Sequence, residues 1–320
     1  MLGWILPLVS RFALVIAGLS LVAPALATDQ EELAARRDGK RDSDFFYRSA
    51  WEVDYRHAVA RARYWKVPLL AYFTRSDEPI PECVALEDGV LVADDFVELG
   101  EKLSLYCNIL SGVDTDPHQG MFFEKNGEEW PHVVVLDAEG RLLVAHDGEH
   151  TTAGYRATLE RAKGIAAEID ALEERSGKGD AEATLALLEA RLELGHLSAD
   201  VGRERLDALP GLDEKGRSRV KALIDRRAYA EVFSAYLLKR SSAKESMARY
   251  RGLQESGAAP RVSQAVTFWR LVAEDALARK DTPMASLAVE GLAGLIGGAE
   301  NTSSIEKAVD ALRQRVLGGN

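Results

Sequence analysis

The chain has 320 residues, enough for two ordinary domains, and 47% of them are hydrophobic, which predicts packed cores rather than disorder. Its formal net charge of −11 argues against binding to nucleic acid and against docking on anionic lipid. The two cysteines, Cys83 and Cys107, are too few for a small domain held together by disulfides.

The first 27 residues are typical of a secretory signal. They contain one basic residue, Arg11, and no acidic residue, and an apolar run precedes the small residues Ala25 and Ala27. This pattern predicts cleavage before Thr28 and export to the periplasm or the extracellular space. The alternative is that residues 1–27 remain as an N-terminal membrane anchor, and only in that case do we expect a membrane among the partners.

Residues 28–45 are mostly charged and show little periodicity, so we interpret them as a flexible leader. Helical spacing then predicts a helix over 50–64, and the nearly all-apolar stretch 67–74 predicts a strand covered on both faces. The elements that follow are a helix over 83–99, a strand over 103–110, a short helix over 118–125, a strand hairpin over 132–136 and 141–145, and a helix from Thr152.

Residues 166–320 show helical periodicity and no strand pattern, and capping residues such as Asp180, Ser198 and Asp213 precede several helix starts. The segment 185–195 looks somewhat like the first helix of a tetratricopeptide unit, although the spacing of helices is uneven. Two interpretations stay open for this half: helical hairpins that are TPR-like, and an irregular helical bundle.

The segment from Trp65 to Asp77 leads into Ile80-Pro81-Glu82-Cys83, and Trp130-Pro131-His132 begins a later strand. This combination resembles the thioredoxin-like family over residues 46–165. The resemblance implies an α/β thioredoxin-like domain, a mixed sheet flanked by helices, and the chain would continue into an all-α helical-hairpin domain over 166–320.

Redox-active members of that family carry Cys-x-x-Cys at the turn, and the resemblance places Ile80 where the attacking cysteine stands. Ile80 cannot ionise, and Glu78 and Glu82 would raise the pKa of the remaining Cys83. Ala71 stands approximately where many relatives have a buried Asp that accepts a proton. These departures predict that ordinary dithiol chemistry is lost.

Pro131 matches the cis-proline that faces the active-site turn in the family, so we expect a cis bond after Trp130. In relatives the backbone before this proline pairs with an extended substrate segment. Two roles for Trp130 stay open: it lines such a groove, or it packs on the turn around Ile80.

Cys83 is interpreted as a partly buried thiol at a helix start, and Cys107, in an apolar strand, as a core residue. A disulfide between them is compatible with an oxidising compartment. The histidines and the run from Asp114 to His118 lack ligand-like spacing, so no metal and no cofactor is expected.

The sequence therefore predicts an exported binding or assembly module with a degenerate redox site. A protein partner is expected at the helical region and at the groove beside Pro131, with candidate binding residues Ile80, Trp130 and Pro131. The enzyme alternative is a thiol–disulfide oxidoreductase or isomerase in which Cys83 is catalytic and acts with a partner's thiol. A third interpretation is a structural envelope protein tethered by residues 1–27.

Overall fold

The structure is a computed structural model that describes residues 30–209, 211–238, 241–278, 280–296 and 302–318. The predicted signal over residues 1–27 lies outside the described residues.

One mixed sheet forms the centre of the first half of the chain, in the strand order β2-β1-β3-β4. Its strands are β1 (Leu69–Arg75), β2 (Ser104–Leu110), β3 (His132–Leu136) and β4 (Leu142–Ala145). β1 is parallel to β2 and antiparallel to β3, and β4 returns antiparallel to β3. The prediction of a single mixed sheet from four segments is confirmed. β1, β2 and β3 are buried along their whole length, as expected of strands covered on both faces.

The turn between β3 and β4 depends on Gly140, which has a φ of +79°. The Asp137 carboxylate accepts hydrogen bonds from the backbone N–H groups of Glu139 and Arg141, which closes the turn. A side chain at Gly140 would also collide with the Tyr55 hydroxyl group, 2.3 Å from the place of its Cβ. The hairpin around Asp137-Ala138-Glu139-Gly140 is therefore confirmed with its physical cause.

Seven helices flank the sheet in the described part of the first half. They are α1 (Gln30–Arg41), α2 (Asp44–Ser49), α3 (Tyr55–Trp65), α4 (Pro81–Asp88), α5 (Asp94–Gly100), α6 (Met121–Glu124) and α7 (Thr152–Gly177). The helix predicted over 50–64 begins only at Tyr55, since the Asp54 carboxylate caps the backbone N–H groups of Arg56 and His57. The single helix predicted over 83–99 is wrong: α4 ends at Asp88, and a 3₁₀ turn over Val90–Val92 precedes α5.

The flexible leader predicted over 28–45 requires correction for its described part. Residues 30–41 form α1, and Phe45 in α2 is 1% exposed. α1 buries no residue completely, and polar contacts fix it instead. The Arg36 guanidinium donates to the Asp77 carbonyl oxygen at 2.9 Å, and the Asp114 N–H donates to the Gln30 side chain at 2.8 Å. A pattern search for apolar periodicity cannot find such a helix.

The second half is helical, and within the described residues it has no strand, as predicted. Its helices are α8 (Ala181–Glu193), α9 (Ala199–Asp207), α10 (Glu214–Leu237), α11 (Ala243–Glu255), α12 (Val262–Ala278), α13 (Thr282–Ala293) and α14 (Thr302–Gly318). Asp180, Ser198 and Asp213 cap α8, α9 and α10 as predicted. Sequence neighbours pack against each other, including α7 with α8, α10 with α11, and α12 with α13.

The helical half shares a hydrophobic core with one face of the sheet. Phe73 of β1 and Phe123 of α6 belong to the same buried cluster as Phe233 of α10 and Phe268 of α12. The rings of Phe233 and Phe268 stack with centroids 4.1 Å apart, and Phe123 meets Phe233 edge to face. The predicted boundary at residues 165–166 falls inside the continuous helix α7. Among the described residues, no helix is both long and apolar enough to cross a bilayer.

Candidate functional site

The turn after β1 places Ile80 at the start of a helix, which begins two residues before the start predicted at Cys83. Ile80 is the N-cap residue of α4, its side chain makes no capping hydrogen bond, and Pro81 follows at the first helical position. An apolar, half-buried side chain therefore stands where a reactive thiol would gain from the helix dipole. Ile80 itself cannot act as a nucleophile.

Cys83 lies on the inner face of α4 and has no exposed surface. Burial raises the pKa of the Cys83 thiol, hydrogen bonding with the Thr74 and Tyr72 side chains acts in the opposite direction, and the charge of Glu87 raises it further. The predicted direction is confirmed, but the cause differs from the prediction. Glu78 forms an ion pair with Arg75 at 3.2 Å. The carboxylate whose charge raises the pKa of Cys83 is that of Glu87, one helical turn after the thiol.

A buried polar cluster surrounds Glu87, and sequence reasoning missed it. The Glu87 carboxylate accepts hydrogen bonds from the Tyr72 hydroxyl at 2.7 Å and from the Thr74 hydroxyl at 2.8 Å. It also forms an ion pair with Lys40 of α1, with Nζ and Oε1 2.9 Å apart. We call Lys40, Tyr72, Thr74, Cys83 and Glu87 the Glu87 cluster. All three contacts are made with the Oε1 atom of Glu87, so two hydroxyl groups and one ammonium group stabilise the buried carboxylate.

The Trp130–Pro131 peptide bond is cis, as predicted, at the point where the chain enters β3. The Trp130 ring is half-buried and stacks on Phe122 of α6, with centroids 4.1 Å apart and an interplanar angle of 14°. Gly127 makes this close packing possible, since a Cβ there would lie 2.5 Å from the Phe122 ring. Trp130 therefore packs on α6, and its two predicted roles, in a groove or on the turn around Ile80, stay predictions.

The loop before Pro131 is fastened to the helical half. The Glu128 carboxylate accepts from the Arg261 guanidinium at 2.7 Å and from the Ser263 hydroxyl, and the Glu128 carbonyl oxygen accepts from the Thr267 hydroxyl at 2.9 Å. Ser263 and Thr267 belong to the first turns of α12. Part of the predicted groove region is therefore in contact with this chain's own α12.

The end of β1 is joined to the same helix. The buried Arg75 guanidinium donates two hydrogen bonds to the Asp77 carboxylate, at 3.0 and 2.7 Å, and one to Glu274 of α12 at 3.3 Å. Arg75 thus joins the end of β1 to α12, and Glu128 joins the loop before Pro131 to the same helix.

α1 covers the carboxyl ends of β1 and β2, next to the same turn. Lys40 donates to the Arg75 carbonyl oxygen at 2.9 Å, and Arg37 forms an ion pair with Asp116 beyond β2. The Gln30 side chain donates to the Gly112 carbonyl oxygen at 3.3 Å. The edge of the sheet where a thiol site would open is thus covered by the segment predicted to be a mobile leader.

Cys107 and His132 are buried, and His150 is half-buried. Both cysteines are free and buried, so the disulfide considered between them is absent. The His132 Nε2–H group donates to the Lys125 carbonyl oxygen, 3.1 Å away, and burial lowers the pKa of His132 to about 4. Burial and the neighbouring His146 likewise lower the pKa of His150 to about 4. Within the described ranges, no group of three His, Cys, Asp or Glu side chains is arranged to hold a metal ion.

The helical half contains an open cleft of about 230 Å³. It lies between α9, α10 and α11, and its charged lining residues are Asp200, Arg203, Glu231 and Arg249. Such a charged cleft is a candidate contact for a polar partner segment, and the residues of the turn around Ile80 do not line it.

The chain matches no protein-family model, no curated protein and no solved structure.

Proposed function

We propose that this chain is an exported, thioredoxin-like protein whose redox site is degenerate and which acts as a binding or assembly module. The strand order β2-β1-β3-β4, with β3 alone antiparallel to the other three strands, supports the resemblance, as does Pro131, which directly precedes β3. A fold of this kind hosts many activities, so the proposal rests on the state of the site.

The observation that carries the proposal is the burial of Cys83. The thiol has no exposed surface, its pKa is raised mainly by that burial, and the helix start in front of it presents Ile80. Disulfide exchange needs an accessible thiolate. The same burial opposes the alternative, an oxidoreductase or isomerase in which Cys83 pairs with a partner's thiol.

The partner surface is assigned to the helical region. The loop before Pro131 is held by α12 through Glu128, whereas the cleft lined by Asp200, Arg203, Glu231 and Arg249 is open. Because two carboxylates and two guanidinium groups line that cleft, a polar protein segment with side chains of both charges fits it. The partner is expected in the compartment to which the chain is exported.

The thiol assay uses the full chain and its Cys83→Ser variant. With dithiothreitol as reductant, we expect no insulin reduction above that of Cys83→Ser, and no reaction of Cys83 with a maleimide until the protein is unfolded. Turnover that disappears in Cys83→Ser would overturn the degenerate-site proposal.

The partner assay captures proteins from envelope extract with the full chain as bait. A partner should be retained by Cys83→Ser and lost by Arg203→Glu with Arg249→Glu. The matched control reverses two exposed lysines elsewhere, Lys163→Glu with Lys178→Glu, and should retain it. Complexes released only by a reductant, and missing with Cys83→Ser, would instead establish the oxidoreductase.

A further inference from the structure

The C-terminal end of α3 exposes two large aromatic side chains next to each other. Tyr64 is 77% exposed and Trp65 is 65% exposed, and their rings meet edge to face with centroids 4.9 Å apart. The buried face of the same helix carries Ala58, Val59 and Ala62, which pack against the sheet. The aromatic pair therefore has no part in the core and remains available at the surface.

These aromatic residues stand among basic ones. α3 contains Arg56, Arg61 and Arg63 and no acidic residue, and Lys66 is its C-cap. We call Arg61, Arg63, Tyr64, Trp65 and Lys66 the basic–aromatic tip. The Arg61 guanidinium forms an ion pair with Glu52, with Nη1 and Oε1 3.9 Å apart. No carboxylate among the described residues forms an ion pair with Arg63 or Lys66. The tip is thus locally cationic in a chain with a net charge of −11.

Net charge and local charge act over different distances. At physiological ionic strength the Debye length is about 8 Å, so carboxylates farther away than this contribute little to a surface in contact with the tip. The net negative charge of the chain argued against docking on anionic lipid, but it does not decide whether the basic–aromatic tip is attracted to an anionic surface.

We propose that the basic–aromatic tip docks on an anionic lipid surface, with the arginine and lysine side chains at the headgroups and the Tyr64 and Trp65 rings in the interfacial layer. Tyr and Trp with adjacent Arg and Lys form the side-chain set that favours the membrane–water interface. An acidic protein partner would need a pocket for the aromatic anchors. That pocket would have to come from the partner, because the rings are 77% and 65% exposed on this chain, whereas the interfacial layer of a bilayer takes exposed rings without a preformed pocket. Neither ring lines the cleft between α9 and α11. This inference is independent of the proposed partner binding.

The test measures co-sedimentation of the full chain with vesicles of phosphatidylcholine, alone or with about a third of phosphatidylglycerol. We expect binding to the anionic vesicles that weakens with added salt, and a loss of at least about tenfold in apparent affinity for Arg63→Glu with Lys66→Glu. Tyr64→Ser with Trp65→Ser should weaken binding to a similar degree.

Two matched controls separate the tip from general effects. Lys163→Glu with Lys178→Glu changes the net charge by the same amount on α7, and Tyr47→Ser removes another aromatic side chain that is 72% exposed. Both should bind anionic vesicles like the unchanged protein. Equal loss in these controls, or equal binding by all variants, would overturn the proposal.

A spectroscopic readout locates the contact. Brominated lipid in the anionic vesicles should quench part of the tryptophan fluorescence, and Trp65→Phe should remove that part while binding persists. If the protein does not bind vesicles but binds poly-glutamate, and Arg63→Glu with Lys66→Glu removes that binding, the tip is a site for acidic protein and the lipid assignment is wrong.

Discussion

Lys40 and Glu87 form an ion pair between the N-terminal helix and the helix that follows β1, with Nζ and Oε1 2.9 Å apart. Their side chains are 12% and 9% exposed, so water screens the pair little. Lys40 also donates to the Arg75 carbonyl oxygen, while Tyr72 and Thr74 complete the donors around Glu87. One lysine thereby joins α1, β1 and α4 directly above the buried thiol.

Lys40→Met should therefore destabilise the protein by about 3 kcal/mol, because the Glu87 carboxylate would remain buried without its cation. Lys40→Met with Glu87→Gln should recover much of this loss, since the amide oxygen can still accept from Tyr72 and Thr74. The measurement is urea unfolding followed by circular dichroism. Lys178→Met, which breaks the exposed pair with Glu174, is the control and should cost less than about 0.5 kcal/mol. A similar small cost for Lys40→Met would show that the buried pair is not formed.

The Glu87 cluster also marks the limit of what the sequence could predict. Apolar runs identified β1 and β2, and capping residues such as Asp180 identified helix starts, because these signals are local. The only local sign that Glu87 is buried is its position in α4. It lies one helical turn after Cys83, on the face that also carries the buried Leu86. Its partner Lys40 is 47 positions earlier in a charged segment without an apolar stripe. Only the folded chain brings them together.

The contact of Glu128 with α12 predicts how firmly the two halves are joined. Glu128→Ala should destabilise the protein by about 1–2 kcal/mol, because the hydrogen bonds of the carboxylate with Arg261 and Ser263 are lost. The side chains of Glu128 and Arg261 are each 31% exposed, so water replaces these bonds only in part. In thermal unfolding, the melting temperature should fall for Glu128→Ala and change little for Glu129→Ala, the exposed neighbour. An equal response of both variants would mean that Glu128 does not fasten the loop before Pro131.

His132 should make the protein less stable in acid. Its folded-state pKa is lowered to about 4 by burial, whereas the unfolded imidazole titrates near the ordinary value of 6.5. Below pH 6.5 the unfolded chain binds a proton that the folded chain does not, so the contribution of His132 is complete above that pH and is lost as the pH falls towards 4. The loss amounts to about 3 kcal/mol. Unfolding free energies between pH 7 and 4.5 should fall less steeply for His132→Gln, and an imidazole resonance of His132 titrating above pH 6 would contradict the prediction.

Two helical glycines should respond to alanine in opposite directions. At Gly291 in α13 a Cβ would lie 2.3 Å from the Trp269 ring, so Gly291→Ala should destabilise the protein by about 1–3 kcal/mol. At Gly164 in α7 nothing lies within 4 Å, so Gly164→Ala should stabilise it by about 0.5–1 kcal/mol through helix propensity. Chemical denaturation of the two variants side by side gives both signs. A stabilising Gly291→Ala would mean that α12 and α13 pack less closely than the structure shows.

The last prediction tests the thioredoxin-like resemblance at the turn itself. Ile80→Cys creates a Cys-x-x-Cys pair with Cys83 at the start of α4, where the N-cap residue and the third helical residue approach each other. Exposure to oxidised glutathione should then form a bond between residues 80 and 83, with both thiol hydrogens transferred to the glutathione, and peptide mass spectrometry detects the cross-linked pair. Asp88→Cys, also on α4 but on another face and five positions after Cys83, is the control and should instead form a mixed disulfide with glutathione. If Ile80→Cys also gives only the mixed disulfide, Cys83 is held too firmly by the Glu87 cluster for this turn to act as the remnant of a redox site.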